Sequence, residues 1–169
     1  TPGEKIFPYI QKNLDDIITV DDDELVVAFL DMVENHKMVI ENSGLLTVAA
    51  LKHLNVKEKR VVSILSGGNM DVITMSSVVQ QGLIFRDRIF TVSVLLPDKP
   101  GELSRVADTI AKEQGNVIKL EHNQFVSINR SAAVELRITL EAFGTDHKKQ
   151  IMKALEKNGY KPKLVRTNL

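Results

Sequence analysis

The chain has 169 residues, which is enough for one large domain or two small ones. Its 22 basic and 22 acidic residues balance, so charge gives no reason to expect nucleic acid or an anionic membrane as a partner. The absence of cysteine excludes disulfides and cysteine-based metal sites, and the four histidines show no metal-ligand spacing. No apolar run approaches the roughly 20 residues of a membrane span. We therefore expect no metal and a cytoplasmic location.

The first half predicts alternating helices and strands. Four stretches show helical spacing of their apolar residues: 5–13, 25–36, 45–54 and 71 to about 81. The last of these should end at Gly82. Short β-branched runs at 16–20 and 60–65 predict two buried strands. The aspartates at 21–23 fit a cap for the following helix better than a metal site. The order is α/β, but two strands make a thin sheet, so we expect this half to be part of a larger domain.

A glycine-containing loop, SGGNMD at 66–71, joins the strand predicted at 60–65 to a helix. A strand that ends in a glycine pair and opens a helix is a usual way to present backbone N–H groups to a ligand, although a tight turn without a ligand has the same pattern. Glu41 stands between an apolar run and a helix start. Its carboxylate is therefore either solvated beside a helix N-terminus or facing a pocket at the helix mouth.

The second half has a different pattern, which begins after a candidate linker at 82–88. Strands and amphipathic helices follow in the order strand 89–96, helix 102–114, strand 116–125, polar turn 127–131, strand 132–142, helix 145–158 and strand 160–166. This βαββαβ order and a length of about 80 residues are typical of the ferredoxin-like α+β fold. One face of the third strand carries Glu135, Arg137, Thr139 and Glu141, which should be solvated or packed on polar partners.

The motif DKPGEL at 98–103 follows the first of these strands, and GNV at 115–117 follows the first helix. With these motifs the second half resembles the ACT domain, a small amino-acid-sensing module. The glycine lets the backbone approach a small ligand, and the helix N-terminus offers N–H groups to a carboxylate. The resemblance implies an effector site between two copies, made of Asp98, Gly101, Glu102 and Leu103 from one chain and Asn116, Val117 and Ile118 from the other. The alternative is a ligand-free ACT dimer in which DKPG is only a turn.

The first half carries a second resemblance. ENSG at 41–44, RVVSIL at 60–65 and the SGGNMD loop are together similar to the end of the catalytic domain of the threonine/serine dehydratases. These are pyridoxal-phosphate enzymes of fold type II whose chains often finish with an ACT domain. Asn42 stands where that family's E-P-S-G-like segment usually has proline, which puts the geometry of this loop in question.

The dehydratase resemblance implies roles for five residues. The hydroxyl of Ser66 would hydrogen-bond the pyridine nitrogen of pyridoxal 5'-phosphate, and Glu41 would lie near the active site. A neutral hydroxyl moderates the electron-withdrawing power of the ring, which suits β-elimination. Gly67, Gly68 and Asn69 would shape the loop beside the ring.

Two motifs of the dehydratases are missing from the sequence: the Ser-x-Lys-x-Arg-Gly-like segment with the Schiff-base lysine, and the glycine-rich phosphate loop. Because the chain also begins with Thr1 instead of Met, we expect a fragment, inactive by itself. Residues 1–88 would be the C-terminal part of the catalytic domain, and residues 89–169 a complete ACT regulatory domain.

The resemblance implies that the whole enzyme deaminates L-threonine to 2-oxobutanoate and ammonia in isoleucine biosynthesis. Isoleucine, valine or a nucleotide would regulate it, and the ACT domains would pair the subunits into a homodimer or homotetramer. Two alternatives stay open. One is a serine dehydratase or racemase of the same family. The other is a free-standing, ACT-type amino-acid-binding regulatory protein.

Overall fold

The computed structural model describes residues 3–123 and 134–168. The chain forms two compact units, Thr1–Val72 and Ile73–Leu169. The boundary predicted between residues 88 and 89 is one between functional domains. The division into compact units does not test it, and it stays a prediction. Among the described residues, no helix is long and apolar enough to cross a membrane.

The first unit is built from short helices: α1 (Phe7–Asn13), α2 (Asp22–Asp31) with a π-helical turn (Met32–His36), a 3-10 turn (Asn42–Leu45), α3 (Leu46–Ala49) and a second 3-10 turn (Ala50–His53). Helix α2 begins with a capping box between Asp21 and Glu24, in which the Asp21 N–H donates to the Glu24 carboxylate at 3.0 Å. The capping interpretation of the aspartates is confirmed. Helix α2 packs against α3 through a small core that includes Leu25, Phe29, Leu30, Leu45 and Ala49.

The two strands predicted in the first half, at 16–20 and 60–65, are not formed, and this prediction is wrong for this chain. Residues 14–20 and 57–71 have no helix or strand, and the side chains of Ile17, Val62 and Ile64 are 73%, 90% and 74% exposed. A strand needs a neighbouring strand to pair its N–H and C=O groups. In the described part of this unit neither segment has one, so the first unit by itself does not show the predicted α/β sheet.

Helix α4 (Val72–Phe85) is longer than predicted and does not end at Gly82. A glycine ends a helix where the backbone turns left-handed, and here the residue with a left-handed φ (54°) is Asp87. Gly82 is buried inside the helix instead. The candidate linker at 82–88 is therefore mostly the last turn of α4.

The second unit confirms the βαββαβ order. Its elements are β1 (Ile89–Leu96), α5 (Glu102–Lys112), β2 (Asn116–Asn123), β3 (Val134–Glu141), α6 (Thr145–Lys157) and β4 (Lys163–Val165). The strands form one antiparallel sheet in the order β2-β3-β1-β4. The predicted turn at 127–131 and the adjoining strand ends lie in 124–133, outside the described residues.

One face of this sheet packs on α5 and α6. The fully buried core side chains include Val92, Val94, Val106, Ile110, Leu136, Ile138, Leu140, Ile151 and Leu155. Alternation along β1 and β3 puts every second side chain into this core, as the sequence predicts.

The other face of the sheet carries polar pairs. Ser93 Oγ donates to Glu135 Oε1 at 2.6 Å, and the Thr91 and Thr139 hydroxyls are 3.0 Å apart. The Ser93 hydrogen bond is the main reason that the pKa of Glu135 is lowered; burial opposes it, and Arg137 at 3.2 Å adds to the lowering. The interpretation that these residues pack on polar partners is therefore confirmed for Glu135 and Thr139.

Candidate functional site

The structure brings Glu41 and the glycine loop of residues 66–69 together. Glu41 Oε2 accepts a hydrogen bond from the Asn69 N–H at 3.3 Å, and its Oε1 accepts one from Ser43 Oγ at 2.6 Å. The Glu41 N–H in turn donates to the Gly67 carbonyl at 3.2 Å. Two segments far apart in sequence are therefore held in one small hydrogen-bonded cluster. The carboxylate therefore supports the loop, and its predicted position at a cofactor pocket stays a prediction.

Two glycines allow this close approach. Gly67 has a φ of 78°, and a Cβ on it would overlap the carboxyl group of Glu41. A Cβ on Gly44 would overlap the carbonyl oxygen of Ser66. Gly68 has no positive φ, and the nearest atom to its Cβ position is the Val39 carbonyl at 3.8 Å. Of the predicted loop glycines, only Gly67 is therefore required by this geometry.

Sequence reasoning missed Ser43 and Gly44 as members of this cluster. They lie two and three residues after Glu41 in the ENSG segment, and their place in that motif was a usable signal. Ser43 completes the shell of hydrogen bonds around the carboxylate, while the buried Gly44 admits the backbone of Ser66. Asn42 opens the 3-10 turn in which both residues lie.

Ser66 itself is exposed, and within the described residues its hydroxyl has no hydrogen-bond partner. A hydroxyl of this kind fits a contact to a ring nitrogen, because it is free to donate or accept. The Asn69 N–H is already bonded to Glu41, so the loop does not offer this group to a phosphate. An exposed hydroxyl beside a loop held by Glu41 is what the predicted contact to a ring nitrogen requires, and the contact itself stays a prediction.

The residues predicted to bind an effector lie in two places. Gly101 has a φ of 91° and is the residue before α5, with open space around its Cβ position. The turn before it is closed by a hydrogen bond from the Lys99 N–H to the Pro97 carbonyl at 2.9 Å. Asp98 is exposed in the same turn, and Leu103 is 42% exposed on the first turn of the helix.

The second group lies on β2, at one edge of the sheet. Asn116 Nδ2 donates to Glu141 Oε2 at 3.1 Å, and the side chains of Val117 and Ile118 are 37% and 46% exposed. Two apolar side chains therefore stand uncovered beside an amide that is fixed in place.

Strand register separates these two groups within one chain. Asn116 is paired with Glu141, which is also opposite Ile89 at the start of β1. The 98–103 turn leaves the sheet at the other end of β1, after Leu96. Eight residues of strand span about 24 Å, so one chain does not bring the two groups to one small ligand.

Glu102 is engaged within its own chain. Its carboxylate is 3.1 Å from Arg105 Nη1, in an open pocket of about 450 Å³ that Tyr160 also lines. Burial raises the pKa of Tyr160, and the charge of Glu102 raises it further. Glu102 therefore follows the 98–101 turn with its carboxylate directed to Arg105 and Tyr160.

No group of three or more histidine, aspartate or glutamate side chains within residues 3–123 and 134–168 could hold a metal ion. The candidate sites are therefore the Glu41–loop cluster of the first unit and the two effector groups of the second.

Comparison with known proteins relates the chain to amino-acid ammonia-lyases. It is 33% identical over 94% of its length to the L-threonine ammonia-lyase of Geobacter sulfurreducens, and 30% identical over 97% to that of Thermotoga maritima. A biosynthetic L-threonine dehydratase of Pasteurella multocida is 27% identical over 94%. The chain is thus homologous to part of the L-threonine ammonia-lyases, which confirms the resemblance to the threonine dehydratase family. It spans 40%, 41% and 30% of the length of these three relatives.

Two solved structures match less of the chain. The prephenate dehydratase of Streptococcus mutans is 21% identical, covers 45% of this chain and 40% of its own, and has a TM-score of 0.39. The ACT domain of a prephenate dehydrogenase from Bacillus anthracis is 20% identical, covers 43% of this chain and 99% of its own, and has a TM-score of 0.34. No protein-family model matches the chain.

Proposed function

We propose that this chain is the C-terminal part of a pyridoxal-phosphate-dependent threonine ammonia-lyase. Residues 1–88 would complete its catalytic domain, and residues 89–169 would form an ACT regulatory domain. The observation that carries the proposal is the similarity to L-threonine ammonia-lyases along 94–97% of the chain but only about two fifths of the length of the two most similar of them reported above. The reaction would convert L-threonine to 2-oxobutanoate and ammonia. The cytoplasmic location expected from the sequence stays a prediction.

The exposed apolar segments of the first unit support the catalytic-domain assignment. Val62 and Ile64 are β-branched side chains exposed by 90% and 74% in a segment without strand pairing. Such a segment is suited to pair with strands supplied by other parts of a sheet. We propose that those strands come from the part of the enzyme that lies outside this chain. A free-standing regulatory protein would instead be expected to close its own core.

The Glu41–loop cluster supports a role at the edge of the cofactor ring. When bound, pyridoxal phosphate would take up the electrons released at the substrate's α-carbon. The exposed hydroxyl of Ser66 would contact the ring nitrogen. Glu41 would hold the loop through Asn69 and Gly67, so that the hydroxyl stays in position. The lysine and the phosphate-binding loop would come from the rest of the enzyme.

The register of the sheet supports an effector site shared by two copies. In one chain, Asn116 lies level with the first residue of β1 through their shared neighbour Glu141, whereas Gly101 follows the other end of β1. A second copy that places its β2 edge beside the 98–103 turn would unite them around one amino acid. Isoleucine and valine fit the exposed apolar side chains of Val117 and Ile118, while a nucleotide is a second candidate effector. The subunits would form a homodimer or homotetramer in this way.

The names of the relatives favour threonine over the alternative substrates of a serine dehydratase or racemase. A chimeric enzyme tests whether this chain can complete a threonine ammonia-lyase; the choice between threonine and serine depends on residues outside the chain. Residues 1–169 would replace the matching segment of the Geobacter sulfurreducens relative, and 2-oxobutanoate formation from L-threonine would be measured beside pyruvate formation from L-serine. We expect production from threonine. A folded chimera that binds the cofactor but acts only on serine, or on neither, would contradict the proposal.

A matched pair of serine variants tests the cofactor contact in the same chimera. Ser66→Ala should lower activity and weaken cofactor binding, because the ring nitrogen loses its hydroxyl partner. Ser76→Ala removes an exposed hydroxyl from α4 and should change neither. Equal behaviour of the two variants would exclude Ser66 from the cofactor site.

A further inference from the structure

The ring of His147, on helix α6, contacts the turn that leads into β2. His147 Nε2 is 2.6 Å from the carbonyl oxygen of Glu113, and Nδ1 is 3.0 Å from the backbone N–H of Phe143. A backbone N–H can only donate, so Nδ1 is the acceptor and Nε2 carries the hydrogen that Glu113 receives. The Phe143 ring stacks on the imidazole with centroids 4.9 Å apart, which fixes the plane of the ring.

A second side chain of α6 holds the same residue. Gln150 Nε2 donates to Glu113 Oε2 at 2.7 Å. His147 and Gln150 are three residues apart, so they stand on one face of the helix. One side chain binds the backbone of Glu113 and the other binds its carboxylate.

The turn after Glu113 leaves the backbone little freedom. Gln114 has a left-handed φ of 62°. A Cβ on Gly115 would lie 2.8 Å from Ile110 Cγ2 and 2.9 Å from Ile151 Cδ1, so the chain passes tightly between α5 and α6. Asn116, the first residue of β2, comes next. Any shift of this turn therefore moves the start of β2.

We propose that His147 and Gln150 are positioning residues for the effector-binding segment 116–118. They would touch no ligand, but they fix the point from which Asn116 and Val117 enter the sheet edge. The proposal rests on the ACT function proposed above. The hydrophobic core that joins the two helices does not include His147. Loss of its ring should therefore loosen the turn without unfolding the unit.

Three variants of His147 separate its two hydrogen bonds in the 169-residue chain. The amide N–H of His147→Gln should lie near the position of Nε2, so this variant keeps the hydrogen bond to the Glu113 carbonyl. The amide oxygen of His147→Asn should lie near the position of Nδ1, so this variant keeps only the hydrogen bond from the Phe143 N–H. His147→Ala keeps neither hydrogen bond. Lys148→Ala is the control, because it removes an ion pair of the same helix that faces Asp87.

Calorimetric titration with L-isoleucine and L-valine gives the first readout. We expect the Ala and Asn variants to bind about fivefold more weakly, because both lose the hydrogen bond to the Glu113 carbonyl, and Gln to bind about as tightly as the unmodified chain. Lys148→Ala should lower the unfolding temperature without changing the Kd. Unchanged Kd values for the His147 Ala and Asn variants, or equal weakening by all three, would overturn the positioning role.

Backbone amide shifts of residues 116–118 give a readout that needs no ligand. They should move in the Ala and Asn variants, return in Gln, and stay unmoved in Lys148→Ala. If the unmodified chain binds neither amino acid, the proposed effector class fails, whereas the positioning claim is still decided by these shifts. Unmoved amide shifts in His147→Ala would refute it.

Discussion

The carboxylate of Glu41 occupies the space in which a side chain of Gly67 would lie. Gly67 can approach so closely because it has no Cβ and adopts a φ of 78°. The Glu41 N–H completes the contact by donating to the Gly67 carbonyl at 3.2 Å. This contact fixes the course of the backbone at Gly67, the residue after Ser66.

The two loop glycines should therefore respond differently to alanine. Gly67→Ala combines a left-handed φ with a clash against Glu41, and should destabilise the first unit by about 2 kcal/mol. Gly68→Ala meets only an atom at 3.8 Å and should change stability by about 0.5 kcal/mol or less. Urea unfolding and amide exchange at Glu41 and Asn69 measure both effects. Equal losses in the two variants would contradict the packing described here.

The fold of the second unit could be predicted from the sequence because the sequence patterns that indicate its elements are local. Alternation along β1 and the glycine after α5 depend on residues near each other, and the elements formed as predicted. The burial of Glu135 could be anticipated only as one of two outcomes, because its partner Ser93 is 42 residues away.

The first unit was less predictable because its apolar segments depend on groups outside it. Residues 60–65 have the composition of a buried strand, yet a strand forms only where another strand pairs with it. The contact between Glu41 and Gly67 was also hidden, since no local pattern shows that a carboxylate will fill the space beside a glycine. The resemblance to dehydratases placed both residues near one site without predicting their contact.

An ion pair at the start of α6 should make the stability of the second unit depend on pH. Burial raises the pKa of Asp87, but hydrogen bonds from Lys148 at 2.7 Å and Thr145 at 2.8 Å outweigh it, so the net pKa is lowered. The stabilisation is thus present above the unfolded pKa of about 3.9 and is lost as the pH falls through the lower folded value.

Asp87→Asn should remove this stabilisation, costing about 1 kcal/mol at pH 7 and flattening the dependence of unfolding free energy on pH between about 5 and 2. Asp146→Asn is the control, because the Asp146 side chain is 99% exposed in its pair with Lys149. Denaturant unfolding at several pH values compares them. If the unfolding free energy of Asp87→Asn still falls steeply as the pH is lowered, groups other than Asp87 cause this dependence.

The 169-residue chain should be a dimer in solution if the predicted effector site is shared, because the two groups that would form it are about 24 Å apart along the sheet of one copy. Sedimentation equilibrium over a range of concentrations measures this. A strictly monomeric chain would remove the basis for an effector site between copies.

The chain by itself should form no covalent adduct with pyridoxal phosphate at the Glu41–loop cluster, since it lacks the lysine segment expected from the dehydratase resemblance. Absorbance spectra before and after prolonged dialysis test this, with free lysine as a control for non-specific reaction. A distinct absorbance band that survives dialysis and is absent from Ser66→Ala would contradict the prediction.

Gly101 should be the most sensitive position of the 98–103 turn, which is predicted to bind the effector. Its φ of 91° is disfavoured for a β-branched residue, so Gly101→Val should shift the turn and weaken effector binding tenfold or more. Gly101→Asn is the matched control, because asparagine tolerates left-handed backbone. Calorimetry gives the two affinities and circular dichroism checks the fold. Unchanged affinity in the valine variant would place the site elsewhere.

The most direct test of the regulatory role is a calorimetric titration of the unmodified 169-residue chain with L-isoleucine and L-valine, using glycine as the ligand without an apolar side chain. We predict saturable binding of at least one branched-chain amino acid and no binding of glycine. Each binding site should consist of the 98–103 turn of one copy and residues 116–118 of the other. A folded, dimeric chain that releases or absorbs no heat of binding with either amino acid would contradict it.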